Sequence, residues 1–274
     1  FIINGKEKVI LSQEKKINDI LYINKTNDPM NPYQASIKTV SKEGYQSSRT
    51  NYITMNKVIV NYKPINSGLS KIDKRVVYRL TCRIKHIETS IPIFILFRAL
   101  GVVTDKDIID MIIYENDIPE TKRRLMDLLI PSVRDSEPIY TQEFAYEYLA
   151  LHTKGKDTIN VIDLLENNFL PNYVSNKEKV YFLATGVRKL LLTYLDMLKE
   201  TDRDSYSNKR VDLPGSLLYE LHRELWGSFE KNVSLKVDRE FKFNFKQYGN
   251  DIRNLITTEN YNRVFNPKVM ETLI

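Results

Sequence analysis

Apolar residues along this 274-residue chain change their period once, near Thr104, and that change constrains the fold more than any other feature. Before it, Val76, Tyr78, Leu80 and Cys82 alternate with Val77, Arg79, Thr81 and Arg83. This is the two-residue repeat of a strand with one packed face and one wetter, basic face. Asn56 to Tyr62 and Arg75 to Ile84 are rich in β-branched and aromatic residues. Pro64, Asn66, Ser67 and Gly68 between them supply turn chemistry, so a long-looped hairpin is predicted. After Thr104 the period becomes helical. Thr104 suits an N-cap with Asp107 three residues on, followed by Ile108, Ile109, Met111, Ile112 and Ile113. Further helices are predicted at Glu120 to Leu129 (ended by Pro131), Gln142 to His152 (ended near Gly155) and Thr158 to Phe169 (ended by Pro171). In Asn176 to Leu198, Val180, Leu183, Val187, Leu190, Leu191 and Leu195 repeat at three and four and define a buried stripe. The chain therefore reads as α+β, antiparallel strands first and helices after.

Lys199 to Asp212 interrupts the pattern with almost no apolar residue and reads as a connection between two bodies. Beyond Pro214, placed for a first helical turn, Leu217, Leu218, Leu221, Leu225, Phe229 and Val233 resume helical spacing. Trp226 and Phe229 on or beside that stripe read as core.

Composition narrows the functional classes. A hydrophobic content of 42% excludes a wholly disordered chain. The longest apolar stretch, Ile91 to Val103, is broken by Pro92 and Arg98 and is shorter than the ~18 to 20 residues a membrane span needs, so no membrane partner is expected. The single cysteine, Cys82, excludes an internal disulfide framework and a thiolate metal cage, and reads as an inward-facing small hydrophobe in a reducing compartment. His86, His152 and His222 show no zinc-binding spacing, and neither a phosphate-cradling glycine loop nor a serine-nucleophile elbow occurs. Asp202 and Asp204 have the hard oxygens a divalent cation prefers, or else cap backbone and pair with neighbours.

The net charge of +6 conceals an asymmetry. Residues 1–100 carry 17 Lys/Arg and 7 Asp/Glu, a balance of +10, and the remainder carries 24 and 28, a balance of −4. Between Lys38 and Arg98 stand 12 basic residues and three acids, either a phosphate-attracting patch or a lysine-rich solvated face. Arg203, Asn208, Lys209 and Arg210, just before a helix start, either converge on a phosphate or form a salt-bridge network with Asp202, Asp204 and Asp212.

Three segments carry a resemblance. Phe1 to Glu14 reads FIINGKEKVILSQE, Ile91 to Gly101 reads IPIFILFRALG, and Asp202 to Leu218 reads DRDSYSNKRVDLPGSLL. In this order and at these separations they resemble FIINGxEKVxIxQE, IPIxIIFRALG and DRDHxGxKRLDLAGPLL of the second-largest subunit of multi-subunit DNA-directed RNA polymerases. The resemblance implies a mixed lobe domain, residues 15–200, inserted into a partial protrusion domain made of residues 1–14 and 201–274. It implies that more of the protrusion precedes Phe1, in keeping with the missing initiator Met. It also implies a cleft-lining, non-catalytic role within a nucleotidyltransferase, with the catalytic Mg²⁺ bound elsewhere and no cofactor in this segment.

The residues carried over toward nucleic-acid backbone are Lys8, Arg203, Lys209 and Arg210, and Arg75, Arg79 and Arg83 form a further basic face. The implied partners are the other polymerase subunits, the largest above all, template DNA and the RNA–DNA hybrid, and transcription factors docked on the lobe. Ser205 to Asn208 reads SYSN where the family has His and Gly, and Ile256 to Tyr261 reads ITTENY where it has LATGNW, so both turns depart from the pattern. Those departures and the Lys/Asn/Ile/Tyr bias fit a large DNA virus or a fast-evolving protist better than a typical nuclear polymerase, the virus being the favoured source. The expected location is the nucleus or, for a viral enzyme, a cytoplasmic viral factory or the virion.

Overall fold

The computed structural model describes residues 2–3, 5–40, 48–62 and 73–248. In chain order the strands are β1 (Ile2–Ile3), β2 (Lys6–Glu7), β3 (Gln13–Lys16), β4 (Leu21–Lys25), β5 (Tyr33–Thr39), β6 (Arg49–Tyr62), β7 (Asp73–Arg83) and β8 (Ile91–Pro92). Helices α1 (Ile93–Ala99), α2 (Asp105–Ile112), α3 (Pro119–Asp135), α4 (Gln142–Leu151), α5 (Thr158–Asp163) and α6 (Asn176–Tyr194) follow, then β9 (Lys209–Asp212) and α7 (Pro214–Tyr248). Residues Lys16–Asn208 form one compact unit; Phe1–Lys15 and Lys209–Ile274 form another.

The larger unit is α+β. Its antiparallel sheet has the order β4-β5-β6-β7-β8, with the hairpin register running from Tyr52↔Arg83 to Tyr62↔Asp73. The hairpin's turn residues Pro64, Asn66, Ser67 and Gly68 lie outside the described residues, as does the segment 256–261. Strand β5 reaches only Met55 on β6, so the outer half of the β6–β7 ribbon extends past the sheet. The predicted alternation holds at the inner end, where Leu80 and Cys82 are buried, and fails at Val76, 49% exposed on the projecting part. Burial pushes the Cys82 thiol up to about 12, which keeps it protonated and inert.

All seven residues of α1 are buried, so the apolar run after Ile91 is the centre of the core. No helix among the described residues is long and apolar enough to cross a membrane. α1 ends at Leu100 in a Schellman motif: the Val102 N–H donates to Phe97 O and the Gly101 N–H to Arg98 O. Gly101 supplies the positive φ of 106° that the motif needs. Thr104 caps α2, its hydroxyl accepting from the Asp107 N–H. Val180, Leu183, Val187, Leu190 and Leu191 of α6 are all buried. A Cβ at Gly186 would stand 3.0 Å from Ile53 Cδ1, so the missing side chain lets α6 close on the sheet.

Four helix expectations need correction. Pro131 does not end α3, which continues to Asp135. The bond a proline forfeits would have gone to the carbonyl of Asp127, an exposed residue, while the last turn is held from outside. There the Ser132 hydroxyl accepts from the Leu80 N–H at 2.9 Å, and Asp135 pairs with Arg79 at 2.6 Å. The helix predicted over Thr158 to Phe169 turns into a π-helical turn at Leu164–Asn168. Fully buried Lys179 satisfies that turn, donating to the carbonyls of Leu165 and Glu166 at 2.8 and 2.7 Å. α6 stops at Tyr194, four residues early, where Asp196 takes φ 57° in a second Schellman turn. Trp226 is not core: it is 50% exposed and packs along its own helix on Phe229 and His222. The apolar spacing of α7 is helical as predicted, but the four-residue strand β9 on which it packs is too small to bury a 35-residue helix.

Candidate nucleic-acid interface

In the larger unit, Arg75, Arg79 and Arg83 lie on one face of β7 because a strand returns to the same face every second residue. Eight residues of rise separate the first from the last, about 26 Å. Arg75 and Arg83 are exposed. Arg79 is bound to Asp135 on α3, an ion pair that ties that helix to the strand. Arg203 lies in the segment before Asn208, exposed, with its Nε 3.7 Å from Asp204 Oδ1.

That segment closes on itself. The Asp204 N–H donates to Asp202 Oδ1 at 2.9 Å, Asn208 Nδ2–H donates to Asp202 O at 2.7 Å, and Ser205 and Ser207 share a hydroxyl bond of 2.9 Å. Asn208 O accepts from Ile17 N and from the Tyr22 hydroxyl. Tyr206–Asn208 form a 3₁₀ turn, and no residue from Ser205 to Asn208 takes a positive φ. The absence of the family's glycine therefore costs this loop nothing, since nothing in it needs left-handed backbone. Asp202 is committed as a backbone acceptor here, and no group of three potential metal ligands occurs among the described residues.

In the smaller unit, β3 and β9 form a two-stranded sheet that sequence patterning does not reveal, because both strands are short and polar. It brings Glu14 and Lys15 beside Lys209 and Asp212. Lys209 donates to Glu14, and Lys15 lies 2.7 Å from Asp212 and 3.4 Å from Glu220. The hydrogen bond to Asp212 is the main reason the Lys15 pKa rises above its usual value. The charge of Lys209 is thus partly matched. The Arg210 side chain is exposed and donates to Lys209 O at 2.7 Å. Lys8, after β2, is also exposed.

Residues 40–212 match the family described as RNA polymerase Rpb2, domain 2. The chain belongs to the Rpb2 family. It is 32% identical to "DNA-directed RNA polymerase II subunit 2" of Arabidopsis thaliana, over 87% of this chain and 20% of that protein. It is 30% identical to "DNA-directed RNA polymerase II subunit RPB2" of Encephalitozoon cuniculi, over 82% and 19%. It is 27% identical to "DNA-directed RNA polymerase subunit Rpo2" of Sulfolobus acidocaldarius, over 87% and 20%. The chain thus spans about a fifth of the length of the curated relatives it matches. The Rpb2 match takes in β6, β7 and β8 of the five-stranded sheet, α1 to α6 and β9, so the arginine-bearing strand β7 and the Arg203 to Arg210 segment both lie inside it.

Sequence reasoning missed one contact between basic groups. Arg49, at the start of β6, donates from Nη1 to His86 Nε2 at 2.9 Å. The two are 37 residues apart, and only the β6–β7 register brings them together.

Proposed function

We propose that this chain is the lobe and part of the protrusion of the second-largest subunit of a DNA-directed RNA polymerase. In this reading it lines one side of the cleft and holds template DNA and the RNA–DNA hybrid by their backbones, without carrying out nucleotidyl transfer itself. The observation that carries the reading is the Rpb2 domain 2 match over residues 40–212, which takes in an exposed arginine-bearing strand. Lys8, Arg203, Lys209 and Arg210 and the β7 face of Arg75, Arg79 and Arg83 are the gripping residues. Cations that meet phosphates release condensed counterions and read no sequence, which suits a machine that moves over any template. The catalytic Mg²⁺ and its ligands belong to other parts of the enzyme, the largest subunit is the principal partner, and the site of action is the nucleus or, for a viral enzyme, the cytoplasmic factory.

The test is a DNA-binding titration of the chain with Arg75→Glu/Arg83→Glu. Affinity for duplex DNA should fall, and the salt dependence of log K should flatten by about 2, since each lost phosphate contact removes a slope of about 0.9. Unchanged binding sinks the β7 assignment. Nucleotide incorporation by the pure chain with template, NTPs and Mg²⁺ overturns the non-catalytic role.

A docking role for transcription factors is favoured by a different surface. An open cavity of about 510 Å³ between α2 and α6 is lined by Asp107, Asp110, Met111, Tyr114, Tyr181 and Thr185. Its carboxylates repel phosphate and its exposed tyrosines suit a protein side chain. If Tyr181→Ala impairs recruitment of a factor while leaving DNA affinity intact, the two roles occupy separate faces.

A further inference from the structure

The Arg49–His86 contact belongs to a larger cluster of cations. The turn after β7 carries Lys85 and His86, and it is fastened to the loop after α4 by the Ile87↔Thr153 bridge and by the Glu88 N–H, which donates to His152 O at 3.1 Å. Lys154 follows Thr153 directly. Three separated stretches of chain, the start of β6, the turn after β7 and the loop after α4, thus gather Arg49, Lys85 and Lys154 about one imidazole.

Among the described residues this cluster lacks counter-charge. No ion pair joins Arg49, Lys85 or Lys154 to a carboxylate among the described residues. Of the acids nearest in sequence among the described residues, Glu88 is exposed in the same turn and Asp157 is committed to capping α5 through the Ile159 N–H, while Glu43 lies outside the described residues. Arg49 donates to His86 Nε2, so the ring must accept there and is held neutral. Burial first, and then the fields of Arg49, Lys85 and Lys154, lower the His86 pKa, with no acid opposing them. The Arg49 Nε–H is buried without a partner, an unsatisfied guanidinium donor among those like charges. His86 also takes φ 74°, a backbone conformation that costs a non-glycine residue energy and that the surrounding contacts must hold.

We propose that Arg49, Lys85 and Lys154, gathered around His86, form a phosphate-gripping site for a nucleic-acid backbone, at the opposite end of β7 from Arg75. The proposal rests on the nucleic-acid reading above and adds to it a site that the sequence patterns did not assign. A polyanion fits better than a single phosphorylated side chain, because the cluster continues through exposed Arg83 onto the arginine face of β7. A line of cations some 26 Å long has more charge than one phosphate can neutralise. A phosphate seated here completes the guanidinium and supplies the missing negative charge.

The test is a fluorescence-anisotropy titration of the 274-residue chain with a labelled 30-base-pair DNA duplex between 50 and 200 mM KCl. Lys85→Gln/Lys154→Gln removes two exposed side chains and leaves Arg49 packed, so the melting temperature should not move. Its log K against log[salt] slope should be about 2 shallower than that of the unmodified chain. Lys106→Gln/Arg123→Gln, with the same loss of charge elsewhere on the unit, should keep the unmodified slope. If the unmodified chain does not bind DNA, the nucleic-acid reading itself fails. If it binds and the Lys85/Lys154 variant keeps its slope and affinity, this site is refuted while that reading survives. Equal losses in both variants also refute the site, since they report net charge alone, and so does saturable binding of a phosphoserine peptide without binding of the duplex.

Discussion

Replacing Arg98 with Met tests how the core of the larger unit is held together. Arg98 sits at the end of α1 and is 1% exposed. Its Nη1 donates to Ser136 O at 2.7 Å and to Ile139 O, its Nη2 pairs with Asp105, and its guanidinium lies 5.5 Å from the Tyr140 ring centre. One side chain therefore ties α1 to the start of α2 and to the α3–α4 connection. Methionine fills much of the same volume without leaving a charge behind, so the loss comes from the partners. Two carbonyls lose a charged donor, at about 1 to 3 kcal/mol each when they stay buried. Asp105 is 35% exposed and recovers water, adding about 1 kcal/mol or less. Against this, methionine avoids the desolvation of the guanidinium, which offsets part of the loss. A net destabilisation of about 3 kcal/mol is expected, a fall in melting temperature of roughly 6 to 12 °C for a unit of this size. Arg98→Lys, with one point charge in place of a planar fork, should lose about half as much. The assay is thermal and urea denaturation followed by circular dichroism, with hydrogen exchange of residues 136–140 as the local readout. A loss below 1 kcal/mol, or unchanged protection of those amides, would refute the assignment of Arg98 as the clasp of this region.

Other outcomes follow from the same contacts. Gly101→Ala should cost about 1 to 2 kcal/mol in a urea titration, from the φ of 106° alone, because the added Cβ meets nothing closer than Gln142 Nε2 at 3.9 Å. Asp196→Gly should stabilise by about 0.5 to 1 kcal/mol by relieving the left-handed backbone at the end of α6. Burial lowers the Lys179 pKa from 10.5 to about 8 in the fold. Below pH 8 both folded and unfolded chains hold its proton and no pH dependence arises; above it the folded chain gives up the proton first, so stability rises from pH 8 toward 10.5. Melts of the unmodified chain and of Lys179→Met across pH 7 to 10 should diverge in that direction, and parallel curves would refute it.

The division into strands before Thr104 and helices after it was legible because burial on one face imposes a period on the residues, and the period survives without knowledge of the partner layer. The hairpin pairing of β6 and β7, the Thr104 cap and the buried stripe of α6 all follow from such local rules. The three motif segments were legible for a different reason: each is continuous in sequence.

What could not be read depends on partners distant along the chain. Pro131 was expected to end α3, and the helix continues because Ser132 and Asp135 are held by Leu80 and Arg79, about 50 residues earlier. The π-helical turn exists beside Lys179, whose ammonium arrives from another helix. Trp226 has the spacing of a core residue, but spacing says which side chains share a face and not whether a second layer covers it.

By itself, then, the sequence determined the α+β order, the strand and helix faces, and the membership of a polymerase family through three contiguous peptides. The tertiary structure alone decided which cations are already paired and which are not. Lys209 is matched by Glu14 and Arg79 by Asp135, whereas Arg49, Lys85 and Lys154 surround a neutral histidine with no acid paired to them among the described residues. The physical reason is that net charge is a sum over sequence, while the field a phosphate meets falls off over a few ångströms and is set by which side chains the fold brings within that reach.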